Sequence, residues 1–220
     1  MDRNNVILEN ANRLAVLRNL ALLRENEEPF FDRMTRIASA VVGVPVSLVS
    51  MVAANYQFFK SSHGLPEPWA SDRRTPLSHS FCQHVVTSGE PLIVEDARQH
   101  DLLKDNKAIP DLDVIGYLGM PLRTNEGQEL GSFCVIDSKP HRWTQDDIDI
   151  MQAFGDLVNA EINARGRARQ QNCLENYISQ EGNRLEPFEE RIVSQSDTAS
   201  IIEEIRKLHH KIESKDNVCD

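Results

Sequence analysis

The chain has 220 residues, 40% of them hydrophobic and 26% charged, and a formal net charge of −10 at pH 7. That length and balance suit a soluble globular protein with one medium domain plus appendages. The acidity argues against nucleic acid, which needs a concentrated positive field, and against an anionic membrane surface.

No stretch approaches the roughly 18–20 continuous apolar residues of a membrane span. The amino terminus, MDRNNVILENANRL, lacks a basic region followed by an apolar run, so it does not read as a signal peptide. Cys82, Cys134, Cys173 and Cys219 are far apart and form no CxxC pair. This pattern suits reduced thiols in the cytoplasm.

In chain order, Ile7, Leu14, Leu17 and Ala21 recur at roughly helical spacing and predict a helix over 4–24. The seam is narrow, of the kind that pairs helices. Phe31, Met34, Ile37, Ala38 and Val41 predict a second helix over about 30–42, ended by Gly43 and Pro45. VSLVSMVA (46–53) and YQFFKSS (56–62) read as a hairpin. Residues 63–76 carry three prolines and read as a surface loop, tacked down by Trp69. Thr75 as a cap, with Pro76 at the first helical position, predicts a helix that continues to Ser88 before Gly89. Ser78 is the competing cap.

PLIVED (91–96) reads as a short strand, and 97–113 as polar and irregular with one helical turn. VIGYLGMPLR (114–123) and ELGSFCVID (129–137) form a second hairpin around TNEGQ, with Gly127 where a positive φ is needed. Thr144 with Asp147 is a capping-box variant opening a long helix to about Ile178. EGNRLEP (181–187) reads as a break, and Ser200 with Glu203 starts a last amphipathic helix. Hairpins interleaved with helices give an α+β fold with a mostly antiparallel sheet. Both long amphipathic stretches, 4–42 and 144–165, are expected on one sheet face. The 76–88 helix and the 97–113 segment are expected on the other, leaving a ligand pocket beneath them.

VPVSLVSMV (44–52), FFKSSHGLPEPWASDRRTPLSHSFCQHVV (58–86), SGEPLIVEDAR (88–98) and YLGMPLR…GQELGSFCVIDSKPHRWTQDDI (117–148) resemble the GAF domain. This is the small-molecule-sensing module of bacterial signalling proteins, and the resemblance covers about residues 25–165. It implies a central antiparallel sheet with helices on both faces, a pocket above the sheet, and homodimers formed through terminal helices. On this reading, residues 1–24 are an N-terminal helix, 25–165 the GAF domain, and 166–220 a helical C-terminal extension.

The stretch HSFCQHV (79–85) is the chemical question in the chain. On one helix, His79, Cys82 and Gln83 would share a face. Cys82 could be a nucleophile with His79 as base. The resemblance lends it no such role. GAF-type methionine sulfoxide reductases carry their catalytic cysteine in the following loop, and 97–113 contains none. His79 and Cys82 give two ligands where structural zinc needs four. A bilin or haem anchor fits this sequence setting poorly. The remaining reading is that Phe81, Cys82 and Val85 pack under the sheet while the helix roofs the pocket, with His79 and Cys82 free to touch a ligand.

The expected function is a non-enzymatic sensor in bacterial signal transduction, of the two-component kind, cytoplasmic and homodimeric. Candidate pocket residues are Ser50, Phe59, His79, Cys82, Asp96, Tyr117, Met120 and Cys134. No cofactor can be named, and no metal or catalytic residue is assigned. The partner would be a histidine kinase or another regulator. One alternative is a protein–protein interaction module with a vestigial pocket. A minor one is a thiol-based redox enzyme or sensor through Cys82.

Overall fold

The computed structural model describes residues 3–26 and 28–193. The last amphipathic helix expected from Ser200 lies outside the described residues. The described chain divides into two units, residues 1–163 and 164 onward. The first holds the whole sheet.

The amino-terminal segment is two short helices, where the sequence predicted one. Helix α1 (Arg3–Leu8) ends before Asn10, whose side chain accepts the Arg13 backbone N–H at 3.0 Å and opens α2 (Ala11–Asn19). Beyond Asn19 the chain turns irregular, with Ala21 at φ 55°. The expected helix-pairing seam is therefore corrected. Leu17 and Leu22 are fully buried in the main core, while Leu8 joins the core on the other side of the sheet.

Two buried cations make this irregular path tolerable, because buried carbonyls need donors. Arg13 donates to the carbonyls of Ile7, Leu8 and Val52, the first and last at 3.1 and 2.6 Å. Lys60 donates to the carbonyls of Ala21 and Arg24 at 3.0 and 2.9 Å and pairs with Glu28 at 2.9 Å.

Helix α3 (Pro29–Val42) follows, with proline in its first turn and Phe31, Met34, Ala38 and Val42 buried at helical spacing. Strands β1 (Val46–Val52) and β2 (Tyr56–His63) form the expected hairpin. The predicted proline loop holds a short helix α4 (Trp69–Asp72) and an edge strand β3 (Arg74–Pro76). Thr75 is thus not a helix cap, because it pairs with Gln57 of β2. A 3₁₀ turn (Leu77–His79) intervenes, and helix α5 spans only Cys82–Ser88.

Strand β4 (Leu92–Val94) leads to the 97–113 segment, which carries a 3₁₀ turn (Ala97–Gln99) and helix α6 (Ala108–Leu112). Strands β5 (Gly116–Arg123) and β6 (Glu129–Asp137) are the second hairpin, with Gly127 at φ 80° as expected. Helix α7 (Gln145–Val193) opens on the predicted capping box. Thr144 N–H donates to the Asp147 carboxylate at 2.9 Å, and Asp147 N–H donates to Thr144 Oγ1 at 3.2 Å. The helix runs through 181–187, where a break was expected.

All strand pairs are antiparallel, in the order β3-β2-β1-β6-β5-β4. Alternation along the strands sorts side chains between two cores. Val49, Met51, Leu118, Met120, Phe133 and Val135 face α3 and the first turns of α7, with Met151, Val158 and Ile162. Leu48, Val52, Phe59, Tyr117, Cys134 and Ile136 face α5, the 97–113 segment and α1. Among the described residues, no helix is long and apolar enough to cross a membrane.

Candidate functional site

The second core contains a small polar nest. The parity of the strands sends Ser50 of β1, Tyr117 of β5, and Ser132 and Cys134 of β6 toward the first turn of α5, where Cys82 sits. Cys82 Sγ lies 3.9 Å from Cys134 Sγ. The Tyr117 hydroxyl donates to Cys82 Sγ at 3.3 Å and lies 3.1 Å from Ser132 Oγ. Ser50 Oγ is fully buried without a well-aligned hydrogen-bond partner, although it stands close enough to favour the Cys82 thiolate.

Gly119 makes room for this arrangement. Tyr117 and Gly119 lie on the same face of β5, and the tyrosine ring folds along the strand over the glycine. A Cβ at Gly119 would collide with the Tyr117 hydroxyl and come within 2.7 Å of Ser132 Oγ.

The electrostatics of the nest follow from burial and hydrogen bonding. The Cys82 thiol is lowered from its ordinary value by hydrogen bonding to Cys134, and further by Tyr117, Ser50 and Ser132, against the opposing effect of burial. Burial first, then Cys82, pushes the Cys134 thiol well up. Burial also raises the Tyr117 phenol well above its ordinary value, so it stays protonated and donates. Of the two thiols, Cys82 is therefore the one whose charged form the nest favours.

Beside Cys82 lies a cavity of about 20 Å³, lined by Leu48, Gln57, Phe59, Phe81, Cys82 and Tyr117. That is room for about one water molecule. Its roof is supplied by Leu65, His79, Ala108 and Leu112. The roof is latched at His79. Its Nε2 meets the Asp111 carboxylate at 2.9 Å, its Nδ1 meets Ser78 Oγ at 3.0 Å, and its ring lies 5.4 Å from Trp69. Lys107 N–H donates to the Ser78 carbonyl at 3.0 Å and Asn106 to the Ser80 carbonyl at 3.2 Å, which fastens the 97–113 segment to the same turn.

The eight residues singled out from the sequence therefore separate. Phe59, His79, Cys82 and Tyr117 line the cavity. Ser50 and Cys134 lie behind it in the polar nest. Met120 is placed differently from the sequence expectation, buried in the core on the opposite sheet face, because it has the parity of Leu118 rather than of Tyr117. Asp96 also lies away from the cavity. It caps the 97–99 turn, bonds Arg98 at 2.8 and 2.7 Å, and is held down at about 2 by that guanidinium.

The shared helical face of His79 and Cys82 is likewise corrected, since His79 belongs to the 3₁₀ turn before α5. Sequence reasoning missed Gln57, Ser132 and Gly119. The Tyr-x-Gly spacing within β5 was the available signal for Gly119. Among the described residues, no group of three or more His, Cys, Asp or Glu is placed to hold a metal ion. Of the cysteines read as reduced, Cys82 and Cys134 are free, whereas Cys173 is disulfide-bonded.

A second opening, of about 450 Å³, lies between the α2 segment and the β1–β2 turn, lined by Leu14, Arg18, Arg24 and Tyr56 among others. No sequence candidate falls there.

Comparison with known proteins places these features in context. Residues 26–162 match the family model described as GAF domain. The chain is 32% identical over 152 residues to a cyclic di-GMP phosphodiesterase of Pseudomonas aeruginosa, a match covering 68% of this chain and 25% of that protein. The chain thus spans about a quarter of the length of this relative. Among solved structures, the GAF domain of a phosphoenolpyruvate-protein phosphotransferase from Coxiella burnetii superposes with a TM-score of 0.55 at 19% identity, over 73% of this chain and 97% of that one. A free methionine-R-sulfoxide reductase from Neisseria meningitidis superposes with a TM-score of 0.53 at 11% identity, over 76% and 95%. These two likenesses are of fold.

Proposed function

The chain belongs to the GAF domain family, and on that premise we propose that it is a non-enzymatic regulatory module of bacterial signalling whose ligand chamber is contracted to about one water in the state described. The observation that carries this reading is the water-sized cavity beneath a roof latched by His79 and Asp111. A small molecule larger than water needs the chamber to widen, and the 64–73 and 97–113 segments, which contribute Leu65, Ala108 and Leu112 to its lining, are the parts that would move. Binding would therefore select an open roof over a closed one, and the coupling would equal the difference in affinity between the two.

The sheet carries α7 on its other face, so a shift in β5 and β6 has a direct mechanical route into that helix. The module is cytoplasmic in this proposal, and homodimeric through its terminal helices. It passes its state to a histidine kinase or another regulator. Similarity to a cyclic di-GMP phosphodiesterase supports a signalling setting and puts cyclic dinucleotides among the ligands to try.

A native mass spectrum of the purified chain, followed by thermal shift against a metabolite panel, tests the proposal. A ligand present at 100 times its Kd adds about 2.7 kcal/mol. For a chain of this size that raises Tm by roughly 5–10 °C. His79→Ala, which releases the latch, is expected to tighten binding of the same ligand. A spectrum with no adduct and a panel with no shift would sink the sensor reading.

The small size of the cavity itself favours a second reading, an interaction module in which the chamber is vestigial and the helices dock a partner. The spectrum and the panel separate the two, because a bound small molecule or a thermal shift is expected from the sensor alone.

A further inference from the structure

We propose that Cys82 and Cys134 form a peroxide-reactive dithiol, with Cys82 attacking hydrogen peroxide that enters through the cavity and Cys134 resolving the product to an intramolecular disulfide. This goes beyond ligand sensing by the module and holds whether or not an organic ligand binds.

Three observations carry it. The sulfurs are 3.9 Å apart, one on the first turn of α5 and one in the central strand β6, and among the described residues these are the free cysteines. A disulfide needs about 2.05 Å, so the pair must close by roughly 2 Å, within reach of a rotamer change and a small shift of α5. Second, the cavity reaches Cys82 but not Cys134. Its volume admits a water-sized molecule, and hydrogen peroxide is only slightly larger. Access alone therefore orders the roles of the two sulfurs.

Third, the nest is built to stabilise charge on Cys82. Tyr117 donates to its sulfur, and the Ser50 hydroxyl, fully buried and without another partner, stands beside it. A buried hydroxyl left unpaired costs free energy, and a thiolate or sulfenate on Cys82 would supply the missing acceptor. The lowered Cys82 thiol and raised Cys134 thiol agree with this order.

The chemistry balances with peroxide as the named oxidant. The Cys82 thiolate attacks one peroxide oxygen and the O–O bond breaks. The departing hydroxide takes the proton that Cys82 lost and leaves as water, and Cys82 becomes a sulfenic acid. The Cys134 sulfur then attacks the Cys82 sulfur. The S–O bond breaks, the Cys134 proton goes to the departing hydroxyl, and a second water leaves as the S–S bond forms. Two thiols are oxidised by two electrons in total and one peroxide is reduced to two waters.

The test uses the 220-residue chain carrying Cys173→Ser and Cys219→Ser, so that only the proposed pair can react. After exposure to hydrogen peroxide, the protein is denatured, alkylated with N-ethylmaleimide and mapped by peptide mass spectrometry. A peptide cross-linked between Cys82 and Cys134, with both thiols lost together, is expected. Adding Cys134→Ser should leave a sulfenic acid at Cys82 that dimedone traps once the protein is denatured in its presence. Adding Cys82→Ser should leave Cys134 fully alkylatable.

Hydrogen peroxide should act at least tenfold faster than cumene hydroperoxide, which the cavity cannot admit. Should a serine variant at position 82 or 134 fail to fold, the peptide map and the size dependence in the parent chain decide by themselves. Two thiols still free after oxidation, or overoxidised Cys82 without a cross-link, would overturn the proposal. So would equal rates for both oxidants, which mean entry by unfolding.

Discussion

Arg13 shows how a single residue can hold an irregular segment. Its guanidinium reaches the carbonyls of Ile7 and Leu8 at the end of α1 and of Val52 at the end of β1, so it ties the amino-terminal turn to the sheet. Burial lowers its pKa to about 10, which leaves it charged at neutral pH. Arg13→Met keeps most of the volume but abandons these carbonyls and that of Glu129, which Arg13 also reaches at 3.4 Å. It should cost about 2–4 kcal/mol, read as a lower urea midpoint with an unchanged m-value.

His84 carries a pH dependence. Burial, and then the charge on His100, hold its pKa below the ordinary 6.5. As pH falls, the unfolded chain takes up this proton first. Stability present above 6.5 is therefore lost as pH falls through the lower folded value. The urea midpoint should drop between about pH 7.5 and 5.5, the range where histidine titrates, and His84→Gln should flatten that slope. An identical slope in the variant would remove His84 as the cause. Gly119→Ala belongs to the same scale. Its methyl would displace the Tyr117 hydroxyl, cost about 1–3 kcal/mol by overpacking, and deprive Cys82 of its donor.

Among the elements, α7 and α5 make an instructive pair. The start of α7 was legible because a capping box is local. Thr144 and Asp147 satisfy each other's backbone donors without help from elsewhere. Thr144→Ala should accordingly cost about 1 kcal/mol, measured by chemical denaturation. The start of α5 departs from the local signal for the opposite reason. Thr75 followed by Pro76 is a good local cap, but Thr75 is β-branched as well, and the edge of β2 offers it a strand partner in Gln57. Proline at the last position of an edge strand loses no ladder bond that matters. The tertiary partner settled a local tie, and moving the helix start to Cys82 took His79 off the face it was expected to share. The amino-terminal helix illustrates the same limit. Its apolar spacing was real, but nothing in that spacing could announce that a buried lysine on β2 would cap the turn ending it.

At the scale of the molecule, residues 1–163 form one compact unit and contain both cores and the polar nest. A chain cut after Asn163 should keep its fold, with Tm within a few degrees of the full chain. Helix α7 runs 49 residues, and beyond Asn163 its described side chains are mostly exposed, including Leu174. A largely exposed helix gains little from propensity alone, and in the proposed dimer a second helix would cover it. Light scattering should find the full chain dimeric and the 1–163 chain monomeric, and the same oligomeric state for both would sink dimerisation through the terminal extension.

The sequence by itself determined the antiparallel hairpins, the two-sided layering of helices and the family, because alternation, turn residues and the capping box are encoded over a few neighbouring positions. Only the tertiary structure decided which candidates meet. Strand parity put Met120 on one face and Tyr117 on the other, and an edge pairing set where α5 begins. The packing of α5 against β6 brought together two sulfurs that lie 52 residues apart in the chain. Contacts at that separation depend on the register of every element between them, and no local pattern records that register.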